Sequence, residues 1–416
     1  MFNWSTLWTT PHRPCSDRTI LPDDCVDVKH NISTALESLD ATCVEYADQF
    51  VQQLVREAER CRASDVHLQP RPEGIEVHWR IDGVIQRLGL FPRGEQSQAI
   101  VRLKVMAGLL TYRTDVPQEG RIRDFLTTEM RLATYPTVFG ERAVVRLFAA
   151  AGQLCQLGDL GFPTDVQETL EADLTAPSGA VVISGPAGTG KTTTAYACLR
   201  KLHHRTVLTI EDPVESLVDG AVQSQTDDKS GFDLASGIRA MMRQDPEVIL
   251  IGEVRDPETA RGAFSAALTG HLLLTTIHAG KASEATFRLI DMGIEAHTLR
   301  ATLLSVLGQR LVRRLCQCAR SASGDERLGL DGSDAMVPVG CDKCQHSGYL
   351  GRALLVEYFN ARNPSVRSVI QNANTSHEIE QRAVSEGMVT LRQRGLEAVT
   401  AGVTSPQEWR RVLGDP

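Results

Sequence analysis

The stretch AVVISGPAGTGKTTTAYACLRKL, residues 180–202, decides the fold of this chain. An apolar segment leads into residues 185–192, which fit the pattern G-x-x-x-x-G-K-[ST], and a helix-forming segment follows. Glycines let backbone N–H groups surround a phosphate, and the amino end of the following helix adds positive potential. The stretch therefore predicts a phosphate-binding loop between a strand and a helix, with a ligand-free glycine turn as the alternative. The predicted nucleotide-binding residues are Gly185, Pro186, Ala187, Gly188, Thr189, Gly190, Lys191, Thr192 and Thr193.

Carboxylates follow two other apolar segments. Glu211 and Asp212 come after TVLTI, and Glu253 comes shortly after VILI. The carboxyl ends of parallel strands share the sheet edge where ligands bind. There one carboxylate can order a metal while the other accepts a proton from water, and Lys191 and Thr192 can reach phosphate and Mg²⁺. The alternative is that these carboxylates are helix caps or solvated strand ends.

Two histidines bracket a further apolar segment, LLLTTI at residues 272–277. His278 follows this segment, at the end where it can hydrogen-bond a γ-phosphate and report its hydrolysis. His271 precedes the segment and is expected at the opposite end. A structural histidine is the alternative interpretation of both.

Short, wholly apolar segments alternate with helical stretches in the second half of the chain, which predicts a parallel sheet buried on both faces. We therefore expect an α/β domain over residues 151–416, after a linker near 149–163. Residues 41–150 combine an amphipathic helix with alternating strands, as in a small α+β domain. Residues 1–40 show no sustained period and are expected to form a short arm. The predicted α/β strands are 180–184, 206–210, 248–251 and 272–277; in the first domain, strands are predicted around 66–68, 75–81, 130–134 and 143–148 and a second helix at 96–110.

The composition sets outer limits on the kind of protein. The chain has 416 residues, of which 42% are apolar, and its 44 basic and 52 acidic side chains give a net charge of −8. This favours a globular protein of two or three domains over a disordered chain, and it disfavours a DNA-coating protein. No apolar run approaches the roughly 18–20 residues that span a bilayer, and the start lacks a secretory signal. We therefore expect a cytoplasmic location.

Four of the ten cysteines form two close pairs near the C-terminal end of the sequence. In a reducing cytosol such pairs favour a metal site over a disulfide framework. Four thiolates suit a tetrahedral Zn²⁺ site, and four thiols within a packed tail are the alternative. The predicted zinc ligands are Cys316, Cys318, Cys341 and Cys344, within the segment 316–344.

The motifs together resemble the secretion ATPase family, which powers type II secretion and type IV pilus assembly. Residues 185–194 resemble its Walker A motif, TIEDPVE (209–215) its aspartate box, MRQDPEVILIGEVRD (242–256) its Walker B motif and TGHLLLTTIHA (269–279) its histidine box. The segments ASDVHLQP, HWRIDGVI, PQEGR and RLATYPTVFGER resemble motifs of the domain that precedes the family's motor. The resemblance extends from about Tyr46 to Glu357.

The resemblance implies an α/β fold with a RecA-like P-loop ATPase core. A small PAS-like α+β domain would precede this core, and a cysteine-containing subdomain and a helical tail would lie at the C-terminal end. Lys191 and Thr192 would then bind phosphate and Mg²⁺, and Glu253 would be the Walker B carboxylate. Further implied roles are Glu211 as general base, His278 as γ-phosphate sensor, and Arg121 and Arg131 as arginines that reach the γ-phosphate.

The resemblance further implies a homo-hexameric motor that is peripheral to the inner membrane. Its partners would be a membrane platform protein and other pilus or secretion components, with no direct contact to nucleic acid. The segment GCDKCQHSGYLGRALLVEY, residues 340–358, resembles assembly and secretion members rather than retraction motors. The family often carries a long N-terminal docking domain, whereas about forty residues precede the first predicted helix here. Two alternatives stay open: a nucleic-acid-translocating or conjugative secretion ATPase, and a ring scaffold with negligible turnover.

Overall fold

A computed structural model describes residues 28–123, 125, 129–147, 156–227, 229–330 and 334–414. The chain divides into two compact units, which we describe separately. An N-terminal unit holds a six-stranded sheet, and a C-terminal unit holds a seven-stranded sheet. Part of the expected arm, residues 1–27, and most of the expected linker lie outside the described residues. No helix in the described ranges is both long enough and apolar enough to cross a membrane.

The sheet of the N-terminal unit has the strand order β3-β2-β1-β6-β5-β4, and its neighbouring strands are antiparallel. Helix α2 packs against the sheet because its apolar residues recur at helical spacing and bury one face. The turn Asp82-Gly83 joins β2 to β3 with φ values of 48° and 79°, as its sequence predicts. The elements of this unit are α1 (Val28–Glu37), α2 (Tyr46–Arg60), β1 (Ala63–Arg71), β2 (Gly74–Ile81), β3 (Val84–Phe91), α3 (Ala99–Met106), β4 (Gln118–Ile122), β5 (Met130–Thr137) and β6 (Gly140–Leu147).

Helix α1 lies inside the stretch that the sequence suggested would be an arm. Ile32 and Leu36 are buried in the core of the N-terminal unit, so tertiary packing supports a helix whose sequence lacks a long apolar repeat. The six-stranded sheet with its helices agrees with an α+β unit, and the PAS-like likeness stays a prediction.

The sheet of the C-terminal unit has the strand order β15-β12-β7-β11-β10-β8-β9. In this order, each strand from β12 through β7, β11, β10 and β8 to β9 is parallel to its neighbour. Parallel pairing is expected for strands that are apolar on both faces. The elements are α4 (Thr164–Leu174), β7 (Gly179–Ser184), α5 (Lys191–Lys201), β8 (Val207–Glu211), β9 (Ala221–Gln225), α6 (Leu234–Met241), β10 (Val248–Ile251), α7 (Pro257–Leu268), β11 (Leu272–Ile277), α8 (Ala282–Asp291), α9 (Ala296–Thr302), β12 (Leu303–Leu315), β13 (Arg320–Ser321), β14 (Met336–Val337), β15 (Tyr349–Asn360), α10 (Pro364–Asn372), α11 (Ser376–Ser385), α12 (Leu391–Thr400) and α13 (Pro406–Leu413).

Two apolar clusters cover the two faces of this sheet. One cluster is contributed by α4 and α5, and the other by α6 to α11. The strand β12 pairs with β7 until Gly308 lies opposite Ser184, and it then continues past the end of β7. As a result, residues 309–311 flank the loop that follows β7: a side chain at Gly185 would meet the Gln309 carbonyl, and one at Gly190 would meet Leu311.

Candidate nucleotide site and cysteine cluster

The loop after β7 has the backbone that a phosphate-binding loop requires. Gly188 and Gly190 have φ values of 74° and 86°, in the left-handed region that favours glycine. Lys191 begins α5, and its Nζ donates hydrogen bonds to the carbonyl oxygens of Gly185 (2.8 Å) and Pro186 (2.9 Å). Burial lowers the pKa of Lys191, while the nearby carboxylates of Glu253 and Glu215 act against this shift. The loop therefore folds around its own lysine, beside the amino end of a helix.

Glu253 lies within reach of two basic side chains. His278 Nε2 is 2.9 Å from Glu253 Oε1, and Arg255 Nε is 2.8 Å from Glu253 Oε2. Burial and the charge of Lys191 lower the pKa of His278, so its ring is neutral at pH 7 beside the Glu253 carboxylate. Arg255 also contacts Asp212 at 3.1 Å, which links the carboxylates that follow two adjacent strands.

Glu211 is more deeply buried than Glu253. It ends β8, is 3% exposed, and accepts hydrogen bonds from three neutral groups. Its Oε2 accepts from the Tyr196 hydroxyl (2.5 Å), and its Oε1 accepts from the Thr209 hydroxyl (2.7 Å) and from Gln223 Nε2 (3.1 Å). The three donors hold the carboxylate in one orientation.

Strand register explains why the two glutamates come to one edge. The strands β8 and β10 are parallel neighbours in which Ile210 pairs with Ile251, so Glu211 and Gly252 follow side by side. A side chain at position 252 would lie 3.2 Å from the Cα of Glu211. The absence of a side chain at Gly252 therefore permits the close approach that brings Glu253 next to Glu211.

The structure keeps His271 away from this edge. His271 lies just before β11, at the opposite end from His278, and its Nδ1 is 2.9 Å from the carbonyl oxygen of Ala266. This agrees with the expected positions of the two histidines, and the ring of His271 satisfies a local backbone contact.

Arg121 and Arg131 lie in the N-terminal unit, directly opposite each other across the strands β4 and β5. Each guanidinium has an acidic partner: Arg121 contacts Glu129 at 3.2 Å, and Arg131 contacts Glu119. Because like charges that face each other on a sheet repel, these acidic partners stabilise the pair.

The four predicted zinc ligands come together. The Sγ atoms of Cys316, Cys318, Cys341 and Cys344 all lie within 4.8 Å of one another, and those of Cys341 and Cys344 are 3.8 Å apart. Tetrahedral zinc with Zn–S bonds of about 2.3 Å separates its sulfurs by about 3.8 Å. The observed spacing therefore fits a Zn²⁺ ion, and the C-x-C spacing of the first pair does not prevent this grouping.

Sequence reasoning missed two residues at the nucleotide site. Tyr196 contacts Glu211, and Glu215 accepts a hydrogen bond from the Thr192 hydroxyl at 3.3 Å. The signal that could have found them is spacing: Thr192 and Tyr196 are four residues apart, so they occupy one face of α5. Glu215 ends the TIEDPVE motif, four residues after Glu211.

Comparisons with known proteins find relatives over most of the chain. The model of the family described as "Type II/IV secretion system protein" matches residues 40–411. The chain is 38% identical to the type II secretion system protein E of Dickeya dadantii, over 87% of this chain and 75% of that protein. It is also 38% identical to the type IV pilus assembly ATPase PilB of Thermus thermophilus, over 87% of this chain but 42% of that longer protein.

Two solved structures share the fold. The ATPase DotB of Legionella pneumophila aligns with a TM-score of 0.64 at 20% identity, over 87% of this chain and 95% of that structure. The pilus retraction motor PilT with bound ADP aligns with a TM-score of 0.59 at 24% identity, over 88% of this chain and 97% of that structure. At these identities the likeness concerns the fold, and the predicted ATPase-like α/β architecture is thereby confirmed. Together with the family match, these findings establish that the chain belongs to the type II/IV secretion system protein family.

Proposed function

We propose that this protein binds and hydrolyses ATP with Mg²⁺ and converts the reaction into mechanical work for type IV pilus assembly or type II secretion. The observation that carries the proposal is the meeting of Lys191, Glu211 and Glu253 at the carboxyl edge of one parallel sheet. The loop would bind the phosphates of the nucleotide. Of the two carboxylates, which lie in different environments, one would bind the metal ion and the other would act as the base.

The roles follow from the surroundings of each side chain. The Lys191 ammonium points into its own loop and binds the phosphates. The backbone N–H groups of the glycine-rich loop donate hydrogen bonds to the same phosphates. The Thr192 hydroxyl and the Glu253 carboxylate are hard oxygen ligands that would hold Mg²⁺. Bound there, the ion neutralises charge that develops on the phosphate oxygens.

Glu211 is the proposed general base, and His278 the proposed γ-phosphate sensor. The donors around Glu211 fix the direction of its carboxylate, and a base must be held in position to take a proton from water. The neutral ring of His278 bonds Glu253 through one nitrogen, so loss of the γ-phosphate at this edge would change that bond.

Arg121 and Arg131 are proposed to stabilise the charge of the transferring phosphoryl group. Their guanidinium groups are paired with carboxylates that are at least partly exposed, and an arginine can leave such a partner at small cost because solvent-accessible pairs contribute about 0–1 kcal/mol. An arginine donated by a separate unit would couple domain closure to hydrolysis.

The names of the relatives support a role in secretion or pilus assembly, which we propose takes place at the inner membrane. We propose a homo-hexameric ring, cytoplasmic and peripheral to that membrane, which acts on a membrane platform protein and extends a pilus or pseudopilus. The curated relatives include both a pilus assembly ATPase and secretion system proteins, so both products belong to the proposal. The four-cysteine cluster would hold a structural Zn²⁺, which would join the two ends of the segment 316–344.

Steady-state Mg-ATP turnover, measured together with the mass in solution, tests this function. Wild type should turn over as a six-chain ring, and Lys191→Ala should lose at least about a hundredfold in kcat. The matched control is Lys201→Ala, at the other end of α5, where the lysine pairs with the exposed Glu171. A ring that binds nucleotide without turnover, or equal turnover by Lys191→Ala, would contradict the proposal.

A further inference from the structure

We propose that Tyr196 is a positioning residue for hydrolysis, which sets the orientation of the Glu211 carboxylate from the helix that also binds phosphate. The inference rests on the proposed function, because it assigns a task to Glu211 in the reaction. Tyr196 is 4% exposed and lies in α5, one turn after Thr192. Its hydroxyl donates to Glu211 Oε2 at 2.5 Å.

The same hydroxyl has a second partner, which fixes its direction. The backbone N–H of Glu215 donates to the Tyr196 oxygen at 3.1 Å. The phenol therefore bridges the end of β8 and the residue that closes the TIEDPVE motif. Thr192, on the same helix face, donates to the Glu215 side chain at 3.3 Å, so α5 contacts both Glu211 and Glu215. A shift of the phosphate-binding helix would be transmitted to Glu211 through these contacts.

The donor and acceptor roles in this bridge are unambiguous. Burial, together with the charge of Glu211, raises the pKa of Tyr196, so the phenol keeps its proton at physiological pH. An ionised carboxylate offers about four lone-pair directions. Tyr196, Thr209 and Gln223 occupy three of them in the described part of the chain, and a water molecule can occupy the fourth. Tyr196 is the donor on Oε2, so its loss would free that oxygen to turn.

The chain offers a matched control in Tyr358. Its hydroxyl donates to Asp173 Oδ2 at 2.5 Å, so it too is a tyrosine bonded to a buried carboxylate. Asp173 also accepts from Ser305, and it lies in α4 rather than at the carboxyl edge of the sheet. Removing either phenol oxygen thus removes the same kind of bond, and only one of the two bonds involves the proposed base.

The test compares Tyr196→Phe and Tyr358→Phe in the full chain. We expect Tyr196→Phe to lower kcat at least about fivefold while KM for ATP stays within about twofold, because the base is misoriented and nucleotide contacts persist. Tyr358→Phe should leave both constants within about twofold. Melting temperatures of both variants separate a fold defect from a catalytic one: equal losses of stability with unequal kcat support positioning.

A double variant shows whether Tyr196 acts through Glu211. In a Glu211→Gln background, Tyr196→Phe should cause no further loss of kcat, since residues that act as a unit are not additive. A full additional loss in that background, or wild-type kcat for Tyr196→Phe alone, would overturn the positioning role while leaving the ATPase function intact. Absence of turnover in wild type would overturn the proposed function itself, and the two failures are thereby distinguished.

Discussion

The two glutamates at the carboxyl edge of the parallel sheet have different neighbours, and this difference suits them to the different roles that we propose. Glu211 is surrounded by neutral hydroxyl and amide donors, whereas Glu253 contacts the Arg255 guanidinium and the His278 ring. A carboxylate held by neutral donors keeps a lone pair for water, and one that already pairs with a cation, as Glu253 does with Arg255, is suited to bind a metal ion. The environment therefore supports Glu211 as base and Glu253 as metal partner.

His278→Ala should lower kcat for ATP at least about tenfold, because Glu253 loses the imidazole ring that contacts it. Binding of ATP, measured by fluorescence titration, should change much less, since the phosphate loop is intact. The comparison variant is His271→Ala, in which a histidine is removed from the other end of the same strand. Equal effects of the two substitutions would show that the position of His278 at the carboxyl edge is irrelevant to turnover.

At the residue scale, the sequence predicts which side chains reach the nucleotide edge but not how they contact one another. Glu211 and Glu253 could be placed because each follows an apolar strand, and parallel strands end at one edge. The bond between Tyr196 and Glu211 could not be predicted, because it depends on how closely α5 packs on β8. From the sequence alone, Tyr196 would be predicted to be an ordinary core residue on the buried face of a helix.

At the scale of elements, strands with wholly apolar or regularly alternating sequences were predictable, and strands without either pattern were not. The four apolar segments of the second half became β7, β8, β10 and β11. The long strand β12 was missed because arginines follow its apolar start, and β15 because the sequence suggested mainly helix after the cysteine segment. The polar edge strands β4 and β9 carry no apolar repeat.

Two buried glutamates join C-terminal elements to the sheet in chemically opposite ways. Glu357 in β15 accepts the backbone N–H groups of Ala282 (2.6 Å) and Leu391 (3.0 Å), which begin α8 and α12. Glu408 in α13 instead bonds the side chains of Arg313 and Arg411. Burial raises the pKa of Glu357 despite its two amide donors. For Glu408 burial acts in the same direction, but the arginine bonds outweigh it and lower the pKa.

These opposite shifts predict opposite pH dependence of stability. The lowered pKa of Glu408 gives stability that is full above the ordinary glutamate value of 4.5 and is lost as pH falls through the lowered value. The raised pKa of Glu357 gives stability that is full below 4.5 and is lost as pH rises through the raised value. Melting temperatures of wild type, Glu408→Gln and Glu357→Gln across this range measure both effects.

As pH rises, the advantage of wild type over Glu408→Gln should grow to about 3 kcal/mol, the usual cost of breaking a buried ion pair. The advantage of wild type over Glu357→Gln should shrink over the same range. Each variant therefore serves as the control for the other, since acid effects on the rest of the molecule are common to both. Parallel pH profiles for the two variants would refute this account of the two glutamates.

At the scale of the whole molecule, the proposed motor draws on both units and on the cysteine cluster. The phosphate loop and the carboxylates belong to the C-terminal unit, and the two arginines belong to the N-terminal unit. This distribution of site residues over two units suits the proposed motor, because closure of one unit on the other during the reaction can produce movement. The family match over residues 40–411 covers both units.

The cysteine cluster should contain one zinc ion per chain when the protein is purified without chelator. We expect Cys344→Ser to lower the zinc content and the melting temperature together, because one of four thiolate ligands is lost and metal binding stabilises the fold. Atomic absorption gives the metal content. The matched variant is Cys198→Ser, which removes a buried cysteine of α5 outside the cluster. Full zinc content in Cys344→Ser would show that this thiol is not a ligand.

The most direct test of the central claim is a single-turnover measurement of bound ATP. Radiolabelled ATP is mixed with excess protein and Mg²⁺, and the fraction converted to ADP is followed in wild type and in Glu211→Gln. Wild type should convert the bound nucleotide, whereas Glu211→Gln should bind ATP with similar affinity and convert it at least about a hundredfold more slowly, because the amide cannot take a proton from water. Conversion at the wild-type rate by Glu211→Gln would contradict the assignment of the base and the account built on it.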